Sequence, residues 1–166
     1  MKRALTLLSL ASISTTLFAG PDLFDAIRSG DRAAVTSMAS MANTARADGT
    51  TPLMVASGLA IWNPGEDGGS LMGQEDEVLE AVKMCVELGN DVNAVNRNGE
   101  TALHGAALTG ANSVVRWLID HGARMDAVNR QGMTPLNIAE GIHLAALYKV
   151  RPQTAALLRD LMSKPR

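Results

Sequence analysis

A chain of 166 residues with 46% apolar residues is long enough for one domain with a continuous core, which excludes a disordered chain. Aromatic residues make up only 3%, which favours closely packed helices over an aromatic-rich β-sandwich. The 15 basic and 17 acidic residues are spread along the chain, without the basic stripe that nucleic-acid-binding proteins use. We therefore expect a mostly helical protein that binds no nucleic acid.

The first 19 residues carry the pattern of an export signal. Lys2 and Arg3 form a positive start, and the apolar run over residues 4–18 is shorter than a membrane-spanning helix requires. Cleavage after Ala19 places a small residue last, as signal peptidase prefers, but leaves Leu17 at the third-last position. The exact site stays open, as does the alternative of a hydrophobic helix that remains attached. We expect a periplasmic or secreted protein with no stable membrane anchor after cleavage.

A 33-residue period runs through the rest of the chain. Gly99 and Gly132 lie 33 residues apart, and so do Gly89 and Gly122, so two separate markers share one period. Such a period indicates a stack of repeated structural units, each of which covers the apolar flank of its neighbour. The residues around the markers match as well, 97–104 with 130–137 and 90–96 with 123–129.

Local signals place two short helices in each unit. Pro52 and Pro135 suit a first helical turn, where a residue needs no N–H for the helix, and the preceding threonines suit the N-cap. Gly89 and Gly122 suit the left-handed cap after a second helix. Asparagine or glutamine followed by glycine, at 98–99 and 131–132, suits the tip of a hairpin-like loop between units.

This unit, with Thr-Pro-Leu-His-like starts and Gly-Ala-Asp-like ends, resembles the ankyrin repeat, in a protein of the exported bacterial type. The resemblance implies an all-α solenoid of about four helix-turn-helix units with hairpin-like loops. The first unit lacks the Thr-Pro-Leu start and resembles a terminal cap, and the last has extra residues before a second helix expected over 154–161. The units of the domain 20–166 extend approximately over 20–45, 46–96, 97–129 and 130–166.

The second unit contains a long insertion. Gly49 lies 50 residues before Gly99, which is 17 more than one period. The range 61–76 fits best, because it is rich in turn-forming residues, and the helical pattern resumes at Val78. Trp62 stands near its start, where it either anchors a partner or folds the insertion back onto the helices.

Acidic residues gather at the end of this insertion. None of the acidic runs has the alternating carboxylate pattern of a calcium loop. We expect the run Glu75, Asp76, Glu77 to begin a helix, where its charge complements the helix dipole.

No catalytic residue, metal site or cofactor site is predicted. His104, His121 and His143 lack the helical spacing of a metal site, and motifs for nucleophilic or phosphate chemistry are absent. The family resemblance implies that His104 fixes the turn that opens its unit, while Met54 and Asn137 stand at the same position in two other units.

Cys85, the single cysteine, excludes an intramolecular disulfide. It occupies an inward position of a second helix, and we expect an inert buried thiol rather than a reactive one.

The resemblance also implies where a protein partner binds, because partners of ankyrin proteins usually contact the loop tips and the concave face of the first helices. The three arginines at the tips form a possible row that pairs with carboxylates of the partner, and the alternative is that they are simply solvated. The candidate partner-binding residues at the loop tips and the concave face, together with Trp62, are Arg46, Asp48, Arg97, Asn98, Leu108, Thr109, Arg130 and Gln131.

Two functions are compatible with these observations. The first is a non-catalytic exported module that mediates protein–protein interaction through the loop tips and the concave face. The alternative is an accessory protein that binds a small molecule or a metal, using the insertion and the irregular last unit near Trp62, His143 and Tyr148.

Overall fold

The structure is a computed structural model that describes residue 33 and residues 45–59, 75–141 and 150–164. Within these ranges the chain forms helices and no strand, which confirms the predicted all-α class. The helices are α1 (Pro52–Ala56), α2 (Glu75–Glu87), α3 (Ala102–Thr109), α4 (Asn112–Asp120), α5 (Pro135–Glu140) and α6 (Pro152–Ser163).

Some of the predicted features lie outside the described residues. They are the export signal 1–19, the first unit except residues 33 and 45, the insertion 61–76 except Glu75 and Asp76, and the side chains of Trp62, His143 and Tyr148.

The helices stack in two layers. Helices α1, α3 and α5 form an inner layer, and α2, α4 and α6 form an outer layer in the same order. Each inner helix also packs on the outer helix that follows it in the chain. The apolar core lies between the layers, where Leu103, Val114, Val115 and Leu118 have 0% of their surface exposed. Each short helix is therefore held by its neighbours rather than by its own hydrogen bonds alone.

His104 fixes the opening of α3 from a fully buried position. Its Nδ1 atom accepts a hydrogen bond from the Thr101 backbone N–H at 3.1 Å, and the Thr101 hydroxyl oxygen lies 2.9 Å from the same nitrogen. Its Nε2 atom lies 3.2 Å from the Met133 carbonyl oxygen, which can only accept, so we assign the ring proton to Nε2. The structural role of His104 is confirmed, and the ring also joins two consecutive units.

The other two inner helices, α1 and α5, begin with the same hydrogen bond, but a different side chain accepts it. At α1 the Thr51 N–H donates to Met54 Sδ at 3.4 Å, and at α5 the Thr134 N–H donates to Asn137 Oδ1 at 3.0 Å. In return, each threonine hydroxyl accepts the backbone N–H three residues later, at 3.2 Å in both helices. A sulfur, an imidazole and an amide thus accept the equivalent threonine N–H in three units.

The predicted helix boundaries agree with the structure. Pro52 and Pro135 stand in the first turns of α1 and α5, as expected. Gly89 and Gly122 follow α2 and α4 with φ of 93° and 88°, which is the left-handed conformation expected there. Each of these residues lies at the end of the helix that it begins or ends, so the boundary can be predicted from the local sequence.

Helix α2 begins with the acidic run 75–77, as predicted, and therefore three residues before the expected restart at Val78. Because α2 begins at Glu75, this side chain lies beside the start of α4. Its carboxylate accepts a hydrogen bond from the Ser113 N–H at 2.7 Å. The N-cap residue of α4 is Ala111, which offers no side-chain acceptor. The preceding unit thus supplies the cap that α4 lacks.

We expect Glu75→Ala to lower the free energy of unfolding by about 1 kcal/mol, the usual effect of losing an N-cap acceptor. Glu75→Gln should lower it less, because an amide oxygen still accepts the hydrogen bond without the charge. Urea unfolding of both variants tests this, with Glu77→Ala as control, because Glu77 lies in the same first turn of α2. Equal losses for Glu75→Ala and Glu77→Ala would show that Glu75 does not cap α4.

Helix α6 ends the described part of the stack. Leu157 and Leu158 are buried in the core, whereas Gln153, Arg159 and Asp160 are exposed. A polar outer flank of this kind is typical of a terminal repeat, which has no further unit to cover it. Among the described residues, no helix is long and apolar enough to cross a bilayer.

Candidate functional site

Three tip loops, defined as residues 46–50, 96–100 and 129–133, share one hydrogen-bonding pattern. In each loop the first residue donates its N–H to the carbonyl of the fifth, and the fourth donates to the carbonyl of the first, at 2.8 to 3.0 Å. The fourth residue is a glycine in all three, with φ between 75° and 82°, a region that other residues rarely adopt. The predicted hairpin-like tips are confirmed.

Backbone hydrogen bonds also join each tip loop to the next. The Arg97 N–H donates to the Asp48 carbonyl at 2.7 Å, and the Arg130 N–H donates to the Asn98 carbonyl at 2.8 Å. The loops are therefore held side by side, main chain to main chain, in the order of the units. Side chains at the tips project from a backbone that is already ordered.

The loop pattern corrects the register of the predicted arginine row. Arg97 and Arg130 stand at the second position of their loops, whereas Arg46 stands at the first position of its loop. The residue equivalent to Arg97 and Arg130 in the first loop is Ala47. The row at equivalent positions thus contains two arginines, and Arg46 lies one residue earlier.

The first position of a tip loop carries a polar side chain in the other two loops. Asn96 and Asn129 each use Oδ1 to accept the backbone N–H groups of the third and fifth residues of their own loop, at 2.9 to 3.0 Å. Arg46 offers no acceptor, and in its loop Asp48 Oδ1 accepts the Thr50 N–H at 2.9 Å instead. This hydrogen bond lowers the pKa of the Asp48 carboxyl below its usual value, so Asp48 stays ionised for a structural reason.

The arginines at the second position remain exposed. Arg97 donates from Nη2 to the Ala47 carbonyl at 3.1 Å, a single hydrogen bond that leaves most of the guanidinium in solvent. The exposed Arg130 guanidinium has no hydrogen bond or ion pair to any residue that the structure describes. Asn98 and Gln131, at the third position, are exposed beside them.

Leu108 and Thr109 end α3 in the inner layer, and both are half-buried. The Leu108 carbonyl accepts a hydrogen bond from Arg151 Nε at 3.1 Å. The Thr109 hydroxyl donates to the Gly105 carbonyl at 3.2 Å. Their polar groups thus hold the helix end in place, and only part of each side chain is accessible to a partner.

Residues 72–150 match a family model described as ankyrin repeats (3 copies). This part of the chain is similar to ankyrin repeats, and the described helices have the fold of an ankyrin-repeat solenoid. The match agrees with the geometry of the described units, in which paired helices alternate with tip loops.

Several curated proteins are similar to part of this chain. An ankyrin repeat domain-containing protein of monkeypox virus is 37% identical over 91 residues, which is 55% of this chain and 20% of that protein. Protein phosphatase 1 regulatory subunit 12A of the mouse is 42% identical over 85 residues, 51% of this chain and 8% of that protein. The Neurogenic locus Notch protein of Drosophila melanogaster is 34% identical over 104 residues, 61% of this chain and 4% of that protein. The chain thus spans at most a fifth of the length of these relatives.

Two exposed valines beside the tip loops were not among the predicted site residues. Val95 is 60% exposed and Val128 is 56% exposed, and each immediately precedes the first residue of a tip loop. The sequence contains a signal for their equivalence, because both lie in an Ala-Val-Asn run and are 33 residues apart. The run does not tell whether the valine is buried, and only the structure shows that these two face solvent.

Reactive groups are buried or isolated in the described part of the chain. Burial raises the pKa of the Cys85 thiol to about 12, so it stays protonated and inert, as expected. Among the described residues, no three His, Cys, Asp or Glu side chains are grouped so that they could hold a metal ion. His121 stacks on Trp117 with 3.7 Å between ring centroids, which ties this histidine to its own helix.

Proposed function

We propose that this protein is an exported, non-catalytic module that binds a protein partner through its tip loops and the adjoining inner-layer face. Ankyrin repeats generally mediate protein–protein interactions, and one of the relatives is a regulatory subunit of a phosphatase. The observation that carries the proposal is the pair of hydrogen bonds that joins the three tip loops, while Arg97, Asn98, Arg130 and Gln131 remain exposed.

The physical reason is the low cost of ordering such a surface. The loop backbones satisfy their hydrogen bonds with one another, so a partner has to order only side chains. Exposed guanidinium groups offer paired donors that suit carboxylates of a partner. Export is supported by Lys2, Arg3 and the apolar run that follows them, and it places the proposed interaction in the periplasm or outside the cell.

Partner capture tests this proposal. The full chain, tagged at its C-terminus, is expressed in an exporting host and used to capture proteins from an envelope extract. We expect a specific partner whose affinity falls about tenfold in the double variant Arg97→Ala and Arg130→Ala, since two exposed charge pairs are lost. The matched control is Arg116→Ala with Arg124→Ala, two exposed arginines outside the tip loops.

Two results would contradict the proposal. Equal loss of affinity in the control variant would remove the tip loops as the binding surface, and failure of the folded protein to retain any specific partner would remove the binding function. The same purification tests export, because mass spectrometry distinguishes a chain that begins at Gly20 from one that keeps all 166 residues. A retained N-terminus would favour the attached hydrophobic helix.

A further inference from the structure

Val95, Arg97, Val128 and Arg130 form a repeated surface feature, here called the valine–arginine patch. The first residue of each of these two loops is an asparagine, which lies between the valine and the arginine and turns its side chain inward to accept backbone hydrogen bonds. The flanking residues are left outside, and both valines are more than half exposed. The hydrogen bond between Arg130 N–H and the Asn98 carbonyl sets the two loops side by side.

The acidic groups of the tip loops are occupied by hydrogen bonds within the loops. Asp48 accepts the Thr50 N–H, and Glu100 Oε2 accepts the side-chain amides of Asn96 and Asn98 at 3.0 and 3.5 Å. Of the two guanidinium groups of the patch, only that of Arg97 makes a hydrogen bond to the described residues, to the Ala47 carbonyl. The patch therefore presents exposed guanidinium groups beside exposed apolar side chains.

We propose that the valine–arginine patch binds an acidic segment of a protein whose apolar side chains alternate with its carboxylates. Carboxylates of the segment pair with Arg97 and Arg130, which offer planar paired donors. Its apolar side chains cover Val95 and Val128, which removes apolar surface from water. This inference rests on the proposed binding function, and it specifies the chemistry of the partner.

Three fluorescein-labelled synthetic peptides of equal length test the inference against the full chain. The first alternates aspartate with leucine, the second replaces each aspartate by lysine, and the third replaces each leucine by serine. We expect the first peptide to bind about tenfold more tightly than either of the others, by fluorescence anisotropy at low salt. Phosphatidylglycerol vesicles provide a fourth probe, because anionic lipid also attracts arginine.

Two double variants assign the preference to the patch. Arg97→Glu with Arg130→Glu should reverse the preference between the aspartate and lysine peptides, because the charges are inverted. Val95→Ser with Val128→Ser should remove the advantage of the leucine peptide over the serine peptide and keep the charge preference. All four positions are exposed, so thermal unfolding should change little, and this is checked by circular dichroism.

Equal binding of the three peptides, no binding of any, or equal binding of the vesicles would overturn the inference. If a captured partner depends on Arg97 and Arg130 while the acidic peptide does not bind, only the chemistry assigned to the partner fails. If no partner depends on the tip loops, the proposed binding function itself fails.

Discussion

Replacement of Gly105 by alanine should destabilise the protein by about 2 kcal/mol, although alanine normally stabilises a helix interior relative to glycine by about 1 kcal/mol. A Cβ atom at position 105 would lie 2.9 Å from the Leu59 nitrogen and 2.9 Å from the Ser57 carbonyl oxygen. Both are backbone atoms next to α1, so they cannot move aside as a flexible side chain would. The inner layer must separate to accept even one methyl group.

Thermal and urea unfolding measure this loss, with two matched controls. Ala156→Gly, at an exposed position of α6, reports the helix propensity alone and should cost about 1 kcal/mol. Gly132→Ala reports backbone strain alone, because its φ is 76° and a Cβ there meets no atom within 4 Å. It should cost roughly 1 to 2 kcal/mol. A Gly105→Ala variant as stable as the original chain would show that α1 and α3 are not packed this closely.

The second large effect is expected for His104→Ala, which should lower the free energy of unfolding by about 3 kcal/mol. The substitution leaves the buried Thr101 N–H without its acceptor. It also removes one of the two hydrogen bonds to the Met133 carbonyl, which keeps the Asn129 N–H as a donor. It also opens a cavity, because His104 is 0% exposed. His104→Asn should recover part of the loss, since Asn137 accepts the equivalent N–H in α5.

His104 should also make stability depend on pH. Burial lowers the pKa of His104 below its ordinary value of 6.5, because the charged form is poorly solvated in the core, while the Met133 carbonyl and Glu100 act in the opposite direction. The unfolded chain therefore binds a proton at a higher pH than the folded one. The stabilising contribution is complete above pH 6.5 and is lost as pH falls from 6.5 through the folded pKa.

Urea unfolding between pH 8 and pH 5 measures this dependence, and His104→Asn should remove the part of it that lies below the ordinary histidine pKa. His121, which is exposed and stacked on Trp117, stays in both proteins and serves as an internal control. The same slope in both proteins would assign the dependence to groups other than His104.

Much of the fold is encoded by signals that act within one unit. Pro52 and Pro135 begin inner helices, and Gly99 and Gly132 turn the tip loops, because N-caps and left-handed turns depend on residues only a few positions apart. The 33-residue period then implies that the units stack. For the same reason the roles of His104 and Cys85 could be inferred from their positions within the repeat.

The candidate surface could be predicted only in part. The sequence places Arg97 and Arg130 at loop tips. Counting back from Gly49 places Arg46 one position earlier, so residue type alone does not give the register of the row. Val95 and Val128 were missed because apolar residues in a repeat are mostly buried, and their exposure depends on how the tip loop leaves the stack.

The sequence by itself determined the helical class, the repeated unit, its caps and turns, and the loops that carry the exposed arginines. Only the tertiary structure decided which distant groups meet. Glu75 caps α4 across 38 residues, Arg151 reaches Leu108 across 43, and Gly105 meets the backbone of a preceding unit. Caps and turns depend on neighbours along the chain, whereas these contacts depend on the stacking of units, which a single repeat does not contain.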